Sequence, residues 1–172
     1  MRTRLLYCLF VLFGLVCVCM GAEKQHLAWA VSQEVKIEKV EVRVSPSGPV
    51  VFLKVGERAI PVFVDPTVAG SIQGALSGEK FLRPLSHDLM KSILSSYDIQ
   101  VQQVFITLRQ GVYFGTLTLF HNGRVQLFDS RSSDAIALAI HFQSPILVEQ
   151  ELLDSAGIEM SQGESNQEGL EL

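Results

Sequence analysis

Residues 135–142, "AIALAIHF", constrain this chain more than any other stretch. At about 100° per residue, Ile136, Leu138, Ile140 and Phe142 together with Ala135, Ala137 and Ala139 put apolar groups on every side of a helix. A helix with no polar face has to be enclosed, and its alanines let it approach a sheet closely. The rest of the chain must therefore supply a sheet and the elements that complete the enclosure.

The strands are legible. "VKIEKVEVRV", Val35 to Val44, alternates apolar and polar with one slip at Glu38–Lys39–Val40, which reads as a bulge in a single strand. "VVFLKV", Gly56–Glu57 and "RAIPVFV" read as a hairpin with a two-residue loop, with Pro61 marking an edge position or bulge. "VQQVFITL", "VYFGTLTLF" and "RVQLFDS" are three further strands, separated by Arg109–Gln110–Gly111 and by the strong hairpin turn Asn122–Gly123. A helix runs from Pro66 to about Leu76 with Asp65 as N-cap, and a second from Ser86 to about Tyr97 with Ser86 as cap. After the enclosed helix come a short strand, "PILV", and a last helix from about Glu149 to Ser155. Blocks of antiparallel strands with helices between and after them indicate an α+β domain, a mixed, mostly antiparallel sheet with helices packed on it. A doubly wound parallel sheet is excluded by the missing strand–helix alternation and the missing glycine-rich phosphate loop.

Part of the chain's apolar content belongs elsewhere. "MRTRLLYCLFVLFGLVCVCMGA" has Arg2 and Arg4, then sixteen uncharged residues from Leu5 to Met20, then small residues. This is the layout of a signal peptide cut after Gly21 or Ala22, and the run is short of the roughly 20 residues that span a bilayer. Residues 1–22 are thus expected to be a signal peptide, with an uncleaved membrane anchor as second reading; residues 23–34 are a flexible mature N-terminus, 35–158 the domain, and 159–172 a disordered acidic tail. The protein is expected to be exported, periplasmic or secreted, and membrane-attached only if that segment is retained. Cys8, Cys17 and Cys19 all lie in it, so the mature chain offers no disulfide framework and no thiolate zinc site. Cleavage leaves 12 basic residues against 18 acids, a net charge of −6. So acidic a chain is not a general coat for nucleic acid.

Two helix entrances concentrate the polar chemistry. "DSRSSDAIALAIHF" opens the enclosed helix with Asp129, Arg131, Ser132, Ser133 and Asp134. Ser132 or Ser133 as cap and Asp134 at the positive end of the dipole are ordinary. Arg131 is not, because a cation is disfavoured there; it needs Asp129 or Asp134 in a clasp, or a bound phosphate. "RPLSHDLMKSIL" repeats the plan with Arg83, Ser86, His87 and Asp88. Its Leu89, Met90, Ile93, Leu94 and Tyr97 form one apolar arc with a half-buried His87 at the margin. If the entrances meet, Asp88, Asp129 and Asp134 with His87 make a carboxylate–imidazole cluster. Hard oxygen ligands suit magnesium, manganese or calcium, ions that activate water in phosphodiester cleavage, while His87 is alternatively a general base. Arg83, Arg131 and Ser133 are the phosphate-binding candidates. His26 and His121 read as solvated, and His141, seven residues after Asp134, cannot share a first shell with it through the helix alone. There is no Gly-x-Ser-x-Gly elbow and no aromatic stacking platform.

These motifs, with "VVFLKVGERAIPVFVDPTVAGSIQGALSG" before them and "QSPILVEQELLDSAGI" after, resemble the bifunctional nuclease (BFN) domain family over about Val35 to Ile158. The family's "RPLTHDL" falls on Arg83 to Leu89 with Ser86 for Thr, and its "DARPSDAIALA" on Asp129 to Ala139 with Ser132 for Pro. Val68 stands at or next to a place where the family usually has an acid. The resemblance implies a self-associating α+β domain of a family in which some members are nucleases acting on both DNA and RNA. On these grounds the expected function is a nuclease-like hydrolase assisted by magnesium or manganese. Asp88, Asp129 and Asp134 would be ligands, His87 the base and Arg131 the clamp, with nucleic acid as substrate and a homo-oligomer as assembly. The alternative is a non-catalytic extracytoplasmic binding or assembly module in which the same groups are caps and clasps.

Overall fold

A computed structural model describes residues 33–160. The expected signal peptide, nearly all of the expected N-terminal segment and the expected tail from 161 onward lie outside the described residues. Among the described residues the strands form two sheets. One holds β1 (Glu34–Lys36), β8 (Ile146–Glu149), β5 (Gln100–Arg109), β6 (Val112–His121) and β7 (Arg124–Arg131) in that spatial order. The other holds β2 (Lys39–Ser45), β3 (Gly48–Val55), β4 (Arg58–Phe63) and β9 (Ile158–Glu159). All pairings are antiparallel except β5 with β8, so the α+β class read from the sequence stands, with the strands divided between two sheets. The helices are α1 (Pro66–Ser77), α2 (Ser86–Ser96), α3 (Ser132–Phe142) and α4 (Gln150–Ala156).

The slip at Glu38–Lys39 is a change of sheet and not a bulge. Ile37 N–H donates to Ile146 O and Glu38 N–H to Lys54 O, both at 2.9 Å, so the chain leaves the first sheet and joins the second across the buried Ile37. Changing parity there turns the apolar side of each half, Val35 on one and Val40 and Val42 on the other, toward the shared core. A second register shift, between Val101 and Gln103, lets both Val101 and Val104 point inward from β5.

The turns follow their residues. Gly56 and the pairs Gln110–Gly111 and Asn122–Gly123 adopt positive φ between Val55 and Arg58, Arg109 and Val112, and His121 and Arg124, the conformation that two-residue hairpin loops require. Pro61 lies on β4 beyond Arg58 and Ala59, the two residues that β9 covers, where its missing N–H costs no ladder bond. That pairing reaches Glu159, and Met160 N–H donates to Glu57 O at 2.8 Å.

Helix α3 is enclosed as its composition demands, with Ala135, Ile136, Ala137, Leu138 and Ala139 at most 1% exposed. It packs on α1, α2, β5 and β6, and Gly115 of β6 leaves room for it to lie close against the sheet. A Cβ built there would lie 2.5 Å from the Ala135 Cβ. Asp65 caps α1 as expected, its Oδ1 accepting from Val68 N–H at 3.0 Å. The serines do not cap α2 or α3. Leu85 precedes α2, and its amide donates to Asp88 Oδ2 at 2.9 Å; Arg131 precedes α3, which leaves Ser132 and Ser133 buried in the first turn. Helix α2 also inverts its expected burial. His87 is its buried residue, while Leu89, Met90, Ile93 and Tyr97 of the apolar arc are exposed. His121 is half-buried, its Nε2 2.8 Å from Asn122 Nδ2 and its Nδ1 buried without a partner among the described residues.

Candidate active site

The fold brings the entrances of α1, α2 and α3 together. Arg131, at the end of β7, turns back over the first turn of α3. Its Nε lies 2.7 Å from Asp134 Oδ2 and its Nη2 2.9 Å from Asp134 Oδ1, a two-pronged pair. Nη1 is 3.8 Å from Asp65 Oδ2, so the guanidinium also spans to the cap of α1. Arg131 holds the Asp134 carboxyl below the usual carboxylate range, and Asp134 in turn raises the guanidinium. The unfavourable cation beside a helix N-terminus is thus answered by a clasp with Asp134. Asp129 takes no part: on β7 it pairs with Thr116 of β6, while its neighbour Ser130 faces Gly115 and α3, so Asp129 lies on the side of the sheet away from the helices.

From Asp134 a polar chain runs inward. His87 Nε2 is 3.3 Å from Asp134 Oδ1, and His87 Nδ1 is 3.2 Å from Ser71 Oγ. Ser71 Oγ is 3.0 Å from His141 Nε2, and His141 Nδ1 is 3.7 Å from Asp88 Oδ1. The two imidazoles stack with centroids 6.2 Å apart and rings tilted 25°. Ser71, on α1, is 2% exposed; His87, from α2, 6%; His141, from the last turn of α3, 7%. Three elements therefore each place one polar group on a common axis through an otherwise apolar interface. Burial lowers His141 below the ordinary imidazole value, against the opposing pull of Asp88.

At the Asp88 end the chain meets a cleft of about 190 Å³. Its lining includes the buried Ser71 and His141, the half-exposed Asp88, and the exposed Lys80, Phe81 and Lys91, which therefore stand at its solvent side. Arg83 is exposed on the neighbouring loop and does not line it, and Ser133 is buried.

The expected carboxylate cluster does not assemble. Among the described residues no group of three or more His, Cys, Asp or Glu stands close enough to hold a metal ion. Asp134 is engaged by Arg131 and His87, Asp88 carries the Leu85 amide, and Asp129 faces away. These donors do not fit a resident divalent ion.

Of the residues singled out in the sequence, His87, Asp88, Asp134 and Arg131 converge, and Arg83, Asp129 and Ser133 stay apart. Ser71 and His141 join them unannounced. A serine between Val68, Ala69 and Ile72 on a helix stripe is itself a signal, because a buried hydroxyl needs a partner. His141 makes no contact with Asp134, as its seven-residue spacing requires, and enters the chain through Ser71 on α1 and Asp88 on α2, partners that its own helix does not reveal.

A family model described as the bifunctional nuclease domain matches residues 50–161, a span that contains every member of the polar chain. Two curated relatives, uncharacterized proteins of Mycobacterium tuberculosis strains CDC 1551 and H37Rv, are each 28% identical over 128 residues, 73% of this chain and 76% of theirs.

Proposed function

The chain belongs to the bifunctional nuclease domain family, and on that premise we propose that it hydrolyses phosphodiester bonds in DNA, RNA or both at the cleft beside His141. The observation that carries this reading is the buried chain from Asp134 through His87 and Ser71 to His141 and Asp88, which ends in a cleft flanked by Lys80 and Lys91. Two lysines at the mouth offset the charge of a phosphate. His141, disposed by its burial toward the neutral imidazole, turns Nδ1 toward Asp88, and that carboxylate, which lines the cleft, is the proton acceptor for the attacking water. Arg131 acts by holding Asp134, and so His87, in place; its guanidinium is already committed.

The protein acts outside the cytoplasm if residues 1–22 direct export as their layout indicates. Among the described residues no helix is long and apolar enough to cross a membrane.

A second reading, assembly, has its own observation. Strand β7 is an edge strand with Val125, Leu127 and Phe128 exposed, and beside it Met90, Leu94 and Phe128 line an apolar hollow of about 340 Å³ under α2. An open apolar strand edge is a template for pairing, and a second copy presenting the same strand about a two-fold axis satisfies it.

The test of the first reading is incubation of the purified mature protein with single- and double-stranded DNA and RNA in magnesium, in manganese and in EDTA, beside Asp134→Asn and His87→Ala. Cleavage by the wild type that falls at least tenfold in both variants is expected. A wild type inert on all four substrates leaves assembly as the function.

A further inference from the structure

We propose that Ser71 is a proton-relay residue: its hydroxyl joins His87 and His141 into one unit that holds a single proton beyond those of two neutral imidazoles and passes it between the Asp134 end and the cleft. A neutral imidazole has one N–H and one bare nitrogen, and a serine hydroxyl donates once. The outer nitrogen of each ring faces a carboxylate, His87 Nε2 toward Asp134 and His141 Nδ1 toward Asp88, so each ring places its N–H outward. Both inner nitrogens then face Ser71 Oγ bare, at 3.2 and 3.0 Å, and the hydroxyl can satisfy only one. A bare nitrogen against an oxygen lone pair, buried, is costly.

One added proton removes the conflict. With His87 charged, Nδ1–H donates to Ser71 and the hydroxyl donates to His141 Nε2. With His141 charged, Nε2–H donates to Ser71 and the hydroxyl donates to His87 Nδ1. The two states interconvert by moving one proton from a ring nitrogen to Ser71 Oγ while the hydroxyl proton moves to the other ring, and every hydrogen bond survives. A second added proton leaves Ser71 facing two donors and sets two cations 6.2 Å apart.

The surroundings decide where the charge rests. His87 is faced by Asp134 with Arg131 behind it, on the side where Asp65 also lies; His141 is faced by Asp88 and by the cation of Lys91. Burial and Lys91 disfavour charge on His141 when the cleft is empty of anions, and a phosphate between Lys80 and Lys91 favours it. The relay itself stands on geometry alone; its use in turnover rests on the nuclease reading.

The test is a proton NMR titration of the histidine ring signals in the full mature chain, compared with Ser71→Ala and His141→Gln. In the wild type the His87 and His141 signals should move together in two shared steps separated by more than about one pH unit. In Ser71→Ala each ring should titrate in one independent step, and in His141→Gln, which keeps a side-chain partner for Ser71, His87 should titrate in one step. Should Ser71→Ala fail to fold, His141→Gln decides. Independent single-step curves in the wild type, or coupled curves that persist in a folded Ser71→Ala, overturn the relay. An inert protein in the cleavage assay would leave this result standing.

Discussion

His87 Nε2 stands 3.3 Å from Asp134 Oδ1, although 47 residues separate the two. That contact joins the entrance of α2 to the entrance of α3, and Arg131 extends the tie to Asp65 at the cap of α1. Three helix starts are thus fixed around one carboxylate.

Asp134→Asn should lower stability by about 1 kcal/mol at pH 7, a modest figure because the Arg131 partner is largely solvated. The carboxyl is depressed in the folded protein, so its contribution is fully present above the unfolded value of about 3.9 and is lost as pH falls through the lower folded value. Urea unfolding of both proteins should show the gap at pH 7 and its disappearance in strong acid. A gap of equal size at both extremes would assign the loss to packing.

Glu41 gives a second acid-sensitive contribution away from the site. Lys39, Lys54 and Arg43 converge on it at 2.8, 3.2 and 3.1 Å, and Lys39 contributes most to lowering its carboxyl to about 2. Glu41→Gln leaves three cations facing one another across β2 and β3. The expected loss is about 1 kcal/mol at pH 6, shrinking between pH 4.5 and pH 2 as the wild-type carboxylate protonates. High salt should narrow the difference by screening.

The hydrophobic period and the turn residues placed most of this fold. Asp65–Pro66 and Asn122–Gly123 act through their own backbones, so the positions are readable without knowing the rest of the chain. The change of sheet at Ile37 was not readable as such, since a bulge and a crossing give the same slip in parity and differ only in which partner strand, β8 or β3, lies beside each half. The polar chain was legible at its ends, where acids beside helix starts stand out against an apolar background. Its middle was not, because Ser71 and His141 have meaning only once α1 and α3 are seen side by side. The same limit hid the exposure of Leu89, Ile93 and Tyr97, which a helical wheel assigns to a core.

Gly115→Ala tests how closely α3 is held to β6. The added methyl would meet the Ala135 Cβ at 2.5 Å and the Arg131 carbonyl oxygen and Ser130 Oγ at 3.1 Å, all on rigid elements. Overpacking at such a place costs about 1–3 kcal/mol. Thermal unfolding should show a clearly lower midpoint, and because Arg131 and Asp134 start α3, the His87 signal should shift as well. An unchanged midpoint would mean that α3 can move off the sheet freely.

Assembly through β7 predicts that Leu127→Asp, on an exposed strand position, abolishes self-association without loss of fold. Sedimentation velocity at several concentrations should show the wild type above monomer mass and the variant at it. A wild type that stays monomeric at high micromolar concentration removes the β7 interface.

The cleft makes the last prediction, and it concerns charge, not chemistry. Lys80 and Lys91 stand at the solvent side of a cleft whose lining includes the buried His141 and Ser71, on a protein whose net charge is negative. Each lysine that contacts a phosphate releases about 0.7 of a counterion from a single strand, which sets the slope of log affinity against log salt. Replacing both by Gln should flatten that slope by about 1.4. A fluorescein-labelled single-stranded oligonucleotide in EDTA, followed by anisotropy from 25 to 200 mM salt, measures it without any cleavage. Loss of affinity with an unchanged slope would mean that the lysines shape the cleft without touching phosphate. An unchanged slope and affinity would move the nucleic acid to another face, leaving Asp88 and His141 as an internal strut.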